Sequence, residues 1–211
     1  TLRFIEHTLL PWLRERFGAL PCIIGGYSLG GLFALWAAHN TDAFTAVAAA
    51  SPSLWIKGWG EYAAAHPILS PQATIQHSTL NTQYSTPQHI TTTTPIHLSL
   101  GDREEHCRNQ RMKRIGDCVR AEYALLCQQL SPTAVTLRWH EGGHFGAEAE
   151  RTAEAFAGVW STYKRKNILI SSSIFDKNTA VSSSIFDKNT AILSSIFDKN
   201  TTILLSIFDK I

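Results

Sequence analysis

Ser28 stands in the string Gly26-Tyr27-Ser28-Leu29-Gly30, and a further glycine follows at Gly31. A serine in a G-x-S-x-G string becomes an activated nucleophile when a buried strand runs into it and a helix opens from it. Both conditions are met in the pattern. Pro21-Cys22-Ile23-Ile24-Gly25-Gly26 is an apolar run of strand size, and Gly30 to about His39 reads as an apolar helix. The turn thrusts the hydroxyl out of the sheet in a strained conformation. Side chains two residues to either side would collide with neighbouring backbone, which accounts for Gly26 and Gly30. The helix start also aims N–H groups and its positive dipole end at the site, so the Leu29 N–H is the expected half of an oxyanion hole.

A nucleophilic serine needs a base and an acid, in the chain order Ser…Asp/Glu…His. His144 lies in Glu141-Gly142-Gly143-His144-Phe145, a glycine-flanked loop after an apparent strand, where an imidazole could reach back over the sheet. His140, at that strand's end, is its competitor, and His77 and His89 read as surface residues of a polar stretch. The acid is expected in Leu100-Gly101-Asp102-Arg103-Glu104-Glu105. An acid three residues after a strand-end glycine favours Glu104, with Asp102 next and Glu105 third. Its work would be to hold the imidazole tautomer and stabilise its cation. Trp55 and Trp59 follow Ser51-Pro52-Ser53-Leu54 at another strand end. With Tyr27 they are candidates for a substrate pocket, Trp55 and Trp59 being equally explicable as cover for the core.

The elements that position these residues alternate helix and strand up to about residue 163, which predicts an α/β domain with a mostly parallel sheet flanked by helices. A first helix is expected over Leu2–Phe17, with Phe4, Ile5, Leu9, Leu13 and Phe17 near one face and Pro11 kinking or interrupting it. Strands are expected at Phe44–Ala50, Ile96–Leu100 and Val135–Trp139. Further helices are expected at about Asn109–Leu130, with Ile115, Val119, Tyr123, Leu126 and Leu130 on one face, and at Ala147–Tyr163. Residues 70–95 are rich in Thr, Gln and His and read as a low-complexity, disordered insertion. The 164–211 tail repeats Ile-Phe-Asp-Lys from Ile174, Ile185, Ile196 and Ile207, an 11-residue period, and is expected to be disordered.

Taken together, Gly25 to Ala34, Ala50-Ser51-Pro52-Ser53-Leu54-Trp55, Leu100 to Glu105 and Gly143-His144-Phe145 resemble the putative-esterase branch of the α/β-hydrolases. That branch includes siderophore esterases, feruloyl esterases, S-formylglutathione hydrolase and mycolyltransferases. The resemblance covers residues 1–163 and implies Ser28 as nucleophile, His144 as base and an acid within 102–105. It also implies an upstream segment with several strands and the second oxyanion donor. On that ground the 211 residues are expected to be a fragment, poorly stable and nearly inactive alone.

The function expected is hydrolysis of a small-molecule carboxylic ester through an acyl-enzyme, with no metal or organic cofactor. An acyltransferase of the same fold, or a non-catalytic interaction protein using the repeats, are the alternatives. The net charge of +2 calls for no nucleic-acid or anionic-membrane partner. No apolar run reaches the roughly 18 residues a membrane span requires. Four cysteines without a C-x-x-C pair or metal-ligand spacing point to a reducing, cytoplasmic compartment. The pattern carries no information on oligomeric state.

Overall fold

The computed structural model describes residues 1–69 and 94–175, the last ten of these by backbone alone. The chain divides into two units, Thr1–Lys166 and Asn167–Ile211. Beyond helical backbone to residue 175, the second unit lies outside the described residues, and so do the repeats from Ile185 onward. Of the 70–95 stretch only Thr94 and Pro95 are described.

Four strands build one sheet: β1 (Ile23–Tyr27), β2 (Ala46–Ala50), β3 (Ile96–Gly101) and β4 (Val135–His140). They lie side by side in chain order, and all three pairings are parallel. A parallel pair requires a crossover. Helix α3 (Leu29–Asn40) makes the first, α4 (Trp59–Ala65) lies within the second, and α5 (Ile115–Gln129) makes the third. Every strand therefore ends on the same edge, and the segments after Tyr27, Ala50, Gly101 and His140 are neighbours there.

The alternation of strand side chains divides the core between the two faces. Val47 and Ala49 of β2 join the larger cluster with Ala34, Leu35, Ala38, Leu98, Val119 and Leu126. Ala46, Ala48 and Ala50 face the other way, against Ala155 and Val159 of α6 (Glu148–Phe175). The alanines and Gly25 let α6 lie close to the sheet. A Cβ on Gly25 would come within 2.7 Å of the Phe156 ring and 2.6 Å of the Ala48 carbonyl. Helix α6 runs past Tyr163, where the apolar pattern weakens, because no glycine or proline follows to stop it.

The N-terminal helix departs from its expected face. It consists of α1 (Leu2–Phe4), a π-helical turn (Ile5–Leu9) and α2 (Leu10–Phe17), with the Leu10 N–H bonded to the Ile5 carbonyl. Pro11 has no N–H and its ring crowds the carbonyl four residues back, so the wider turn sits just ahead of it. One extra residue per turn rotates the downstream helix face by about 100°. Of the expected face, Ile5 and Leu13 pack on the core together with Leu2 and Leu10, whereas Phe4 and, beyond the wider turn, Phe17 are exposed.

The face expected for α5 packs on the core, with Ile115, Val119 and Leu126 buried and Tyr123 and Leu130 partly buried, and Glu122 is buried beside them. The helix begins later than expected. The Asn109 side-chain oxygen accepts the N–H groups of Arg111 and Met112, forming a turn ahead of it.

Candidate active site

Ser28 occupies the turn between β1 and α3 at φ 55° and ψ −115°, in the positive-φ region that side chains avoid. Two backbone bonds brace the turn. The Ser28 N–H donates to Ala50 O at 3.0 Å, and the Ser28 carbonyl accepts the Ser53 N–H at 3.1 Å. The glycine requirement is not symmetric about the serine, which corrects the reading of the motif. A Cβ on Gly26 would lie 2.7 Å from Gly30 backbone, and one on Gly31 would lie 3.0 Å from Gly26 O and 3.1 Å from Ala50 O. A Cβ on Gly30 meets nothing within 4 Å. Gly30 supplies the close backbone that excludes a side chain at Gly26, and Gly31 is the second crowded position.

The segments after β1, β3 and β4 bring three side chains into one hydrogen-bonded row. His144 Nε2 lies 3.0 Å from Ser28 Oγ, and His144 Nδ1 lies 2.7 Å from Glu104 Oε2. With the Nδ1 proton donated to the carboxylate, Nε2 is left to accept from the serine hydroxyl. Of the three acids in the loop, Glu104 is the one that meets the imidazole. Asp102 Oδ1 instead accepts the Gly142 N–H at 2.8 Å, fixing the histidine loop from behind, and Glu105 pairs with Arg120 at 2.7 Å. His140 stands apart from Ser28, its Nδ1 3.6 Å from Glu154.

Glu104 is buried and its second oxygen is fully engaged. Oε1 accepts the Gly101 N–H at 2.8 Å and the Ser51 hydroxyl at 2.8 Å, with the Arg151 guanidinium at 3.3 Å. Burial is the largest single influence and opposes ionisation. The bonds from His144, Gly101 and Ser51 outweigh it and hold the carboxyl below its usual range. Glu104 is thus a charged acceptor, able to stabilise an imidazolium.

The pocket candidates separate. Trp59 is not at the site: it is buried in the core, its indole N–H donated to Glu122 at 2.9 Å. The start of α4 at Gly58, in a left-handed conformation, turns it inward. Trp55 is half-buried and packs against the larger cluster. Tyr27 lies under His144, ring centroids 5.3 Å apart, and its hydroxyl donates to the His144 carbonyl at 2.7 Å. Leu29 opens α3 with its side chain 62% exposed, and its N–H belongs to the first helical turn, where donors lack intrahelical partners.

Three contributors escaped the sequence reading: Ser51, Ser53 and Arg151. Ser53 Oγ lies 3.2 Å from Ser28 Oγ, and Ser51 reaches Glu104 from a positive-φ position, φ 41°. The Ser-Pro-Ser string after β2 is the only signal the sequence held for the two serines, and nothing local marks Arg151.

A family model described as putative esterase matches residues 1–128, a segment that holds Ser28 and Glu104 and ends before His144. Among solved structures, the siderophore hydrolase EstB from Aspergillus nidulans is 24% identical with a TM-score of 0.53. That match covers 74% of this chain and 55% of EstB. Siderophore hydrolase EstA from the same organism is 19% identical with a TM-score of 0.51, covering 77% of this chain and 57% of EstA. These likenesses show a shared fold, and the chain spans little more than half the length of either hydrolase. No curated relative matches it.

Proposed function

Because the chain belongs to the putative-esterase family, we propose that it is a serine hydrolase cleaving carboxylic esters through an acyl-enzyme. The observation that carries this reading is the row Ser28–His144–Glu104, with contacts of 3.0 and 2.7 Å. In the first step Ser28 Oγ attacks the ester carbonyl while Nε2 of His144 takes its proton. Glu104 holds the other ring nitrogen and stabilises the imidazolium. Negative charge gathers on the former carbonyl oxygen, toward which the Leu29 N–H at the start of α3 is the donor proposed. The imidazolium then returns its proton to the departing alcohol. A water, deprotonated by the same nitrogen, attacks the acyl-serine, releases the acid and restores the hydroxyl.

No step requires a metal or organic cofactor. The substrate is proposed to be a small ester, and Trp55 is retained as a candidate pocket wall. Ester-bearing siderophores belong in the first substrate panel, because the two fold neighbours are described as siderophore hydrolases.

Labelling with a fluorophosphonate tests the reading directly. The chain and its Ser28→Ala variant are compared. Labelling that disappears with Ser28→Ala is the expected result. A wild-type chain that folds and does not label overturns it.

A further inference from the structure

Arg151, on the first turn of α6, is 2% exposed, a rare condition for a guanidinium. Its hydrogen bonds go to groups that surround the imidazole. Nη2 donates to Glu104 Oε1 at 3.3 Å, and Nη1 donates to the Gly143 carbonyl at 3.1 Å and to the Tyr27 hydroxyl at 2.6 Å. The Tyr27 hydroxyl donates its own proton to the His144 carbonyl. One cation therefore grips the acid, the carbonyl before the histidine and, through Tyr27, the histidine's own carbonyl. Gly101 leaves room for it, since a Cβ there would overlap Nη2.

Fold stability alone gives little reason for such a group. Burying a guanidinium is costly, the Nε–H has no partner among the described residues, and apolar residues of similar volume often replace buried ion pairs without loss. A role in the site accounts for it better. We propose that Arg151 is a positioning residue of the catalytic row: it orients Glu104 and the His144 loop, and its charge balances that of Glu104. This rests on the serine-hydrolase reading.

The charged groups around His144 are Glu104 from the loop after β3 and Arg151 from α6, with the Tyr27 ring from β1 beside the imidazole. Without Arg151, Glu104 keeps the Gly101, Ser51 and His144 donors but loses its tie to α6. The His144 loop at the same time loses the bonds that reach the Gly143 carbonyl directly and the His144 carbonyl through Tyr27.

The experiment is steady-state kcat and KM on one ester for the full chain as wild type, Arg151→Met, Arg151→Lys and Tyr27→Phe. Fluorophosphonate labelling of the wild type is checked first. Arg151→Met is expected to lower kcat by about tenfold or more with KM little changed. Arg151→Lys, which keeps the charge and loses the fork, should recover only part of that loss. Unchanged kcat in a folded Arg151→Met protein overturns the proposal while leaving Ser28 as nucleophile intact. Should Arg151→Met not fold, Tyr27→Phe decides. A several-fold fall in kcat at unchanged KM supports the clamp, and unchanged kcat removes it. A wild type that does not label removes both readings together.

Discussion

The Ser53 hydroxyl lies 3.2 Å from the Ser28 hydroxyl, on a residue whose own N–H is bonded to the Ser28 carbonyl at 3.1 Å. Ser28 Oγ is therefore shared between His144 Nε2 and Ser53. When the Ser28 proton points to the imidazole, the Ser53 proton is the one that can occupy the space between the two oxygens. That bond fixes the rotor in the orientation attack requires. Ser53→Ala is expected to lower kcat by up to about tenfold, the equivalent of one ordinary hydrogen bond, with KM little changed. An unaltered kcat would show that His144 alone sets the rotor.

The acid can be identified by a pair of isosteric changes. Glu104→Gln keeps the shape and removes the charge, and an amide facing Nδ1 selects the wrong imidazole tautomer. Loss of activity on the order of a thousandfold is expected. Asp102→Asn retains an oxygen for the Gly142 N–H and is expected to cost only a few-fold. The reverse ranking, measured as steady-state kcat/KM on one ester, would move the acid to Asp102.

Much of this arrangement was legible because a parallel sheet places every strand's C-terminal end on one edge. The strings holding Ser28, Ser53, Glu104 and His144 each come directly after a strand, so their meeting is a consequence of the alternation of helix and strand. What remained hidden depends on contacts between elements far apart in the chain. Arg151 reaches Tyr27 across 124 positions, and a lone arginine near the start of a helix looks like any solvated charge. Glu122, which no motif marks, packs inside and accepts the Trp59 indole N–H, holding Trp59 in the core. The π-turn before Pro11 rotated a helix face that simple periodicity had placed otherwise.

The glycine motif yields a stability test in which its two downstream glycines differ. Gly31→Ala puts a methyl 3.0–3.2 Å from Gly26 O, Ala50 O and Pro52 Cα, all backbone atoms held by the sheet and the turn. A cost of about 1–3 kcal/mol is expected, typical of overpacking. Gly30→Ala meets open space and gains helix propensity, so its stability should be unchanged or higher by up to about 1 kcal/mol. Urea midpoints of the two variants decide it. Equal destabilisation would mean that the turn, rather than local crowding, sets the requirement.

Two buried groups outside the site should tilt the pH dependence of stability in opposite directions. Burial pushes the Glu122 carboxyl up from 4.5 to about 7, only partly offset by the Trp59 N–H. Between those values the unfolded chain releases a proton that the folded chain keeps, so stability falls as pH rises. His97 is the reverse case. Burial, the largest influence on it, pulls the imidazole down from 6.5 to about 4. Over that range the unfolded chain binds the extra proton, and stability rises with pH. Each slope is about 1.4 kcal/mol per pH unit where one proton is fully transferred, so the two oppose each other between roughly pH 4.5 and 6.5. Glu122→Gln removes the falling part. Relative to wild type it should gain stability steadily from pH 4.5 to 7, reaching about 2–3 kcal/mol, with no gain at pH 4. His97→Gln should gain only at the acid end, below about pH 6. Chemical denaturation of the three proteins across this range reads the differences, and variant curves running parallel to wild type would mean that neither group titrates on unfolding.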